Sequence, residues 1–239
     1  MMLSALILPI LMAEPAHAWR HLQHVWDHNS DFPFEWWMSD SFEDSWSDTE
    51  STELDVLNEA WSHWVNQAPC AEITTEYQGV RTGHNAGYTN DAINTTYFDD
   101  PADQLGAGVL GATLTLPSGI MAFTLAGDTY TYAFDSDIIF NDDVVWVSDD
   151  QIRASACSGG HSLEGVATHE MGHGFGMGHS CEEGEACSEL DLRYATMYWS
   201  GGPCSENQSE LKSDDVEGIT ALYGPYAAFS SDSKRNGGV

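Results

Sequence analysis

Apolar residues recur at helical spacing in two segments of the chain. The first stripe comprises Leu54, Leu57, Trp61, Trp64 and Val65. This spacing predicts an amphipathic core helix that begins after Thr52 as its N-cap. A second helix is expected after Ser213, because Asp214 and Asp215 favour the positive end of a helix and Gly224-Pro225 would end it. Its inward positions are Val216, Ile219, Leu222 and Tyr223.

Strand patterns occupy much of the chain between these helices. The run at 34–38 and the alternation at Ile73, Thr75 and Tyr77 each predict a strand. Five more short strands are expected, at 109–116, 121–125, 130–134, 137–140 and 144–147. Residues 80–105 predict a long loop, and a further helix is expected to begin near Ser162. These elements indicate one α+β domain over residues 19–228, followed by a flexible tail over 229–239.

The first 18 residues resemble a secretion signal. An apolar run from Leu3 to Ala13 is followed by Ala16-His17-Ala18, a small-residue pattern typical of signal-peptide cleavage sites. The run is shorter than the ~20 residues that a membrane-spanning helix needs. We therefore expect a secreted protein, extracellular or periplasmic, that makes no membrane contact once residues 1–18 are removed.

The composition is strongly acidic. The chain has 38 Asp and Glu against 7 Lys and Arg, for a formal net charge of −31. This charge repels phosphate and anionic lipid, so nucleic acid is not expected as a partner. A hydrophobic content of 42% excludes a disordered polymer. The acid excess suggests a protein that works in salty water, where short screening lengths suppress self-repulsion.

Five cysteines fit an oxidising destination. They are Cys70, Cys157, Cys181, Cys187 and Cys204. Because the number is odd, at least one is expected to stay outside any intramolecular disulfide. The last three lie close together in sequence and are expected to staple one loop, although the pairing itself stays open. The alternative of a structural zinc site has no CxxC spacing to support it.

The segment from His169 to His179 carries the most specific chemistry. His169 and His173 are four residues apart, so a helix would direct both imidazoles from one face to a single metal ion. Glu170, one position on, would lie beside the metal and take a proton from the attacking water. Gly176 can adopt a positive φ, end the helix and bring His179 back as a third ligand. Three protein ligands leave a coordination position open, which is the catalytic arrangement of zinc.

This HExxHxxGxxH pattern, followed by Ser180, resembles the zinc signature of metzincin metallopeptidases in their matrixin, or matrix metalloproteinase-like, branch. The sequence 195–198 (ATMY) resembles the Met-turn, whose Met197 would form an apolar floor under the metal. Residues 214–224 resemble the closing helix of the branch. The resemblance implies an α+β fold with a twisted, mostly parallel five-stranded sheet, one antiparallel edge strand and three helices.

The same resemblance implies one catalytic Zn²⁺ held by His169, His173 and His179, with Glu170 as the catalytic base. Ile139 stands where the branch has a histidine of its structural zinc site, so a second zinc is not expected. Calcium stays open as a ligand of the acid-rich loops. The strand at 109–116 is the candidate for pairing with an extended substrate.

The sequence therefore predicts a secreted, monomeric zinc endopeptidase acting on extracellular proteins or peptides, such as those of the extracellular matrix. Three alternatives remain. They are an inactive zinc-binding or adhesion module, a toxin or inhibitor-like protein that binds through its acidic surface, and a peptidase of another metzincin branch.

Overall fold

The computed structural model describes residues 19–40, 46, 48, 51–83, 87–98, 100, 103–125, 127–187 and 190–225. The predicted signal peptide, residues 1–18, and the predicted tail, residues 229–239, lie outside these described residues. Among the described helices, none combines the length and the apolar character that crossing a bilayer requires.

Ten strands and five α-helices make up the described fold. The strands are β1 (Arg20–His21), β2 (His24–Val25), β3 (Phe34–Ser39), β4 (Thr75–Arg81), β5 (Thr95–Tyr97), β6 (Gly111–Leu125), β7 (Asp128–Phe140), β8 (Trp146–Val147), β9 (His161–Ser162) and β10 (Met177–Gly178). The helices are α1 (Glu53–Gln67), α2 (Asp149–Arg153), α3 (Leu163–Gly174), α4 (Leu190–Tyr194) and α5 (Ser213–Tyr223), with a 3-10 turn at Pro69–Ala71.

The central sheet runs in the order β4-β3-β5-β7-β6. Its first four strands are parallel, and β6 pairs antiparallel with β7 at the edge. The two residues of β2 add a short parallel pairing to the beginning of β7. The expected mostly parallel sheet with one antiparallel edge strand is confirmed. The two short pairs β1-β10 and β8-β9 lie outside it.

The three longer helices begin within one residue of their predicted starts, α5 including Ser213 with Lys212 at its N-cap position. The Thr52 side chain accepts a hydrogen bond from the Asp55 amide, and the Asp55 carboxylate accepts one from the Thr52 amide, forming a capping box at the start of α1. At the start of α3, the Ser162 hydroxyl accepts a hydrogen bond from the Gly165 amide and thereby caps the helix. The helices α2 and α4, of five residues each, are additions to the three expected.

Two strand predictions are wrong in detail. Residues 80–105 are not all loop, because β5 (Thr95–Tyr97) lies in the middle of the sheet, between β3 and β7. Its three residues are all buried, which gives no alternation for a sequence pattern to show. The four segments expected over 109–140 form only two long strands, β6 and β7, because pairing continues past irregular registers between Leu116 and Phe123.

A cluster of aromatic residues packs the helices onto the sheet. Trp36 and Trp64 are fully buried, and the Phe175 ring lies 5.5 Å from that of Trp61 and 5.4 Å from that of Phe34. The Trp64 indole donates to the Thr168 carbonyl at 2.8 Å and thereby ties α1 to α3. This core fixes α3, the helix that carries the predicted site, against the sheet.

Two disulfides connect four of the five cysteines, Cys157–Cys204 and Cys181–Cys187. Cys70 is free and exposed. The expectation that the last three cysteines staple one loop is therefore wrong for Cys204. This residue is brought beside the turn before α3, where its amide donates to the Gly160 carbonyl at 2.8 Å.

Candidate metal centre

Helix α3 presents His169, Glu170 and His173 beside the edge of the sheet. The helix ends at Gly174, and Gly176 follows with a φ of +95°. A Cβ atom at Gly176 would lie 2.3 Å from the His24 carbonyl oxygen, so glycine is required both for its conformation and for the close approach. The chain then reverses into β10, which leads directly to His179. The predicted turn is confirmed.

The three histidines converge on one point. Their ring centroids are 4.7 to 5.2 Å apart, and their candidate ligand atoms all lie within 4.8 Å of one another. The Nε2 atoms of His173 and His179 are separated by 3.1 Å. Two nitrogens bound tetrahedrally to Zn²⁺ at their usual bond lengths would be ~3.4 Å apart, so the spacing suits that ion.

Each histidine has a hydrogen-bond acceptor at Nδ1. His169 Nδ1 is 2.8 Å from the Thr196 carbonyl oxygen, and His173 Nδ1 is 2.8 Å from the Met177 carbonyl oxygen. His179 Nδ1 is 2.9 Å from Glu182 Oε2. With Nδ1–H donating to these acceptors, the Nε2 lone pairs are left for a metal ion.

Burial keeps two of these rings neutral. It lowers the pKa of His173 to about 4 and holds the pKa of His169 well below its usual range, with the neighbouring imidazoles acting in the same direction. The neutral imidazole is the form that binds a metal ion.

Glu170 lies beside this cluster and is buried. Thr113 Oγ1, on β6, is 2.8 Å from Glu170 Oε2 and 2.9 Å from the Glu170 carbonyl oxygen, so it contacts both groups with its hydroxyl. Burial raises the pKa of the Glu170 carboxyl to about 7, and the hydrogen bond from Thr113 opposes that shift.

Met197 packs against the underside of α3. Met197 is fully buried, and a Cβ atom at Gly172 would lie 2.3 Å from its sulfur. The Asp215 carboxylate accepts hydrogen bonds from the amides of Thr196 at 2.8 Å and Met197 at 3.0 Å. Asp215 thus connects the beginning of α5 to the turn that also supplies the Nδ1 acceptor of His169.

The Matrixin family model matches residues 43–224 of this chain. The chain belongs to the matrixin family. Its site has the three histidines, the adjacent glutamate and the buried methionine that the sequence resemblance led us to expect, and its sheet has the expected strand directions.

Named relatives of this matrixin share parts of its sequence. It is 38% identical over 101 residues to Metalloendoproteinase 1-MMP of Arabidopsis thaliana, covering 39% of this chain and 24% of the relative. It is 35% identical over 89 residues to interstitial collagenase of Bos taurus, covering 37% and 15%. It is 27% identical over 178 residues to Metalloendoproteinase 4-MMP of Arabidopsis thaliana, covering 74% and 42%. The matches therefore span less than half the length of each relative.

A cleft of about 850 Å³ passes over the histidines of this matrixin. One wall is the chain from Ala107 to Thr113, which enters β6, and another is the segment Trp199 to Gly201 after the buried methionine. His161, Val166 and Gln208 also line it, together with the exposed Glu183. Among the described residues, the three histidines are the one group of three or more His, Cys, Asp and Glu side chains close enough to share a metal ion.

Three residues that shape the site of this matrixin were not predicted from the sequence. Thr113 belongs to the predicted edge strand, but nothing in that strand's pattern indicates a contact with Glu170, 57 residues away. The sequence indicates Asp215 as a favourable acid at a helix start and as part of the closing helix, but not that its carboxylate accepts hydrogen bonds from the amides of Thr196 and Met197. Glu182 lies three residues after His179, and this short separation was the available signal.

Proposed function

We propose that this matrixin is a zinc-dependent endopeptidase that hydrolyses peptide bonds in proteins or peptides. The observation that carries the proposal is the convergence of His169, His173 and His179 with every Nδ1 bound to an acceptor. A zinc ion bound there would polarise the scissile carbonyl and lower the pKa of the attacking water.

The chain itself would supply the proton transfers. The Thr113 hydroxyl donates a hydrogen bond to Oε2 of Glu170, so we assign proton transfer to the other carboxylate oxygen, Oε1. Glu170 would accept the proton of the attacking water there and then donate it to the departing amine nitrogen. Met197 supports the site from below and is not a ligand, because it is buried beneath α3 in contact with that helix at Gly172.

The substrate would lie extended along the first residues of β6. Val109 to Thr113 line the cleft, and among the described strands β6 is paired only with β7. An extended peptide can therefore add to the free side of this edge strand through main-chain hydrogen bonds.

We further propose that the protein is exported as a monomer with residues 1–18 as its signal peptide and 19–228 as its catalytic domain. The two disulfides support an oxidising destination, outside the cell or in a periplasm. Extracellular proteins or peptides, matrix components among them, are the proposed substrate class.

The substitution Glu170→Gln tests the proposed reaction. It keeps the shape of the side chain but removes its ability to accept a proton, so kcat/KM on a fluorogenic peptide library should fall by about 10²–10⁴-fold. Zinc content, measured by elemental analysis, should stay at one ion per chain. Activity should also disappear when a chelator removes the metal and return when zinc is added.

The matched control is Glu164→Gln on the same helix. Its carboxylate pairs with His63 at 2.9 Å and does not line the cleft, so peptide hydrolysis should stay close to that of the unmodified protein. Near-normal turnover by Glu170→Gln would remove the assigned base. A zinc-loaded protein that cleaves no peptide in the library would instead support an inactive binding module.

A further inference from the structure

The third histidine is oriented differently from the other two. The Nδ1 acceptors of His169 and His173 are main-chain carbonyls within the folded core, whereas the acceptor of His179 is the Glu182 carboxylate. The side chain of Glu182 is 49% exposed and that of His179 is 26% exposed. The orientation of His179 therefore depends on a side chain that solvent can reach and that local motion could displace.

The loop from Cys181 to Cys187, here called the ligand loop, has internal connections that hold Glu182. A disulfide joins its two ends. The Glu182 amide donates to Glu185 Oε2 at 3.0 Å, and the Glu185 amide donates back to the Glu182 carbonyl at 3.2 Å. The Glu185 carboxylate thus fixes the main chain of the residue that orients His179.

The N-terminal strand reaches this loop from outside. Arg20 Nη2 lies 2.9 and 3.0 Å from the two carboxylate oxygens of Glu185. Arg20 belongs to β1 and is paired with Gly178, the residue immediately before His179. The same short strand therefore contacts the chain on both sides of the third histidine, through its main chain at Gly178 and through its side chain at Glu185.

We propose that Glu182 is a positioning residue for the third metal ligand, and that Arg20 holds it in place through Glu185. This inference rests on the zinc site proposed above. The carboxylate fixes the tautomer of His179, restrains its ring and increases the basicity of its Nε2. An exposed ion pair such as Arg20–Glu185 contributes little to folding by itself, so its expected effect is on metal binding.

Zinc affinity is the first measurement, obtained by competition with a chromophoric chelator. Substituting Glu182→Ala should raise the zinc Kd by about 10–100-fold, the usual cost of losing a group that orients a metal ligand. Glu182→Gln retains an oxygen that accepts from Nδ1 and should recover part of the loss. The d–d spectrum of the Co²⁺-substituted protein should change with Glu182→Ala, because the ring it orients binds the metal directly.

A double-substitution cycle tests whether Arg20 acts through Glu182. Arg20→Gln should raise the zinc Kd by about 3-fold in the unmodified protein, the size expected for one exposed ion pair. It should have no further effect in a Glu182→Ala background, because the group it holds is gone. A purely structural ion pair would instead give the same effect in both backgrounds and would lower the melting temperature of the metal-free protein.

Two control variants isolate the interaction. Glu76→Ala removes one exposed acid on β4, outside both the ligand loop and the cleft. Arg153→Gln removes an exposed arginine that pairs with Asp150 and Glu206, outside the ligand loop. Both variants should keep the zinc Kd within about twofold of the unmodified protein.

The result that overturns the inference is a zinc Kd for Glu182→Ala that equals that of Glu76→Ala. It is also overturned if Glu182→Ala lowers the melting temperature of the metal-free protein as much as that of the zinc form. If the unmodified protein itself binds no stoichiometric zinc, the proposed function fails instead. Because neither readout requires peptide cleavage, the two failures are distinguishable.

Discussion

At the scale of single residues, the candidate site is a set of side chains oriented by distant hydrogen-bond partners. The spacing of His169, Glu170 and His173 predicts which residues share a helix face, because α-helical geometry is local. The Thr196 carbonyl that orients His169 is 27 residues away in sequence, and Thr113 is 57 residues from Glu170. Such partners depend on the packing of whole elements, so sequence spacing alone does not reveal them.

The substitution Thr113→Val tests the partner of the proposed base. Valine has nearly the same shape but removes the hydroxyl that contacts Oε2 and the carbonyl oxygen of Glu170. Leaving a buried acceptor unpaired costs about 1–3 kcal/mol. We expect kcat on a fluorogenic peptide to fall by about tenfold, with little change in KM or zinc content.

Thr115→Val is the control for that variant. Thr115 lies two residues further along β6 and pairs with the Ser136 hydroxyl at 2.9 Å, so its loss should affect stability but not kcat. Equal losses of kcat in the two variants would show that strand β6 as a whole, and not the contact with Glu170, is responsible.

At the scale of elements, the sequence predicts helices and strands that have strong local signals, but it does not predict short buried elements. Helix α1 has both an apolar stripe and a capping box, and β4 alternates along its whole length between more and less buried residues. Strand β5 has only three residues, all of them buried. The Thr95 amide donates a hydrogen bond to the Asp137 carboxylate, and the Thr95 hydroxyl donates one to the Ile93 carbonyl. The place of β5 in the sheet is determined by its neighbours β3 and β7, because three residues that are all buried show no alternation.

The end of α3 provides a prediction at this scale. Gly176→Ala introduces a side chain where φ is +95° and where Cβ would meet the His24 carbonyl at 2.3 Å. The strained conformation alone costs about 1–3 kcal/mol, and the collision adds to it. We expect loss of bound zinc and a large drop in the free energy of unfolding, measured by urea denaturation of the metal-free protein.

Gly184→Ala separates the cost of the strained backbone from the cost of the collision with His24. Gly184 has a similar φ of +83°, but a Cβ atom there would have no neighbour within 4 Å. The free energy of unfolding of this variant should fall by only about 1–2 kcal/mol. If Gly176→Ala is no worse than Gly184→Ala, the close approach between the turn and His24 has no role in bringing His179 to the other two histidines.

At the scale of the whole molecule, the acidic residues divide into two groups. A few are buried and accept main-chain hydrogen bonds, as Asp135 does from the amides of Asp91 and Ala92 and Asp215 does from those of Thr196 and Met197. Many others, such as Glu59, Glu76 and Asp142, are exposed. The buried acids stabilise particular turns, whereas the exposed acids repel one another across the surface.

The net charge of −31 leads to a prediction about salt. Raising NaCl from 0.1 to 1 M shortens the screening length from ~10 Å to ~3 Å, which weakens repulsion between exposed acids. We expect the melting temperature to rise by about 5 °C, corresponding to roughly 2 kcal/mol for a domain of this size. The triple substitution Glu59→Gln, Glu76→Gln, Asp142→Asn removes three exposed charges and should reduce the rise. A melting temperature that decreases with salt would contradict the role assigned to surface charge.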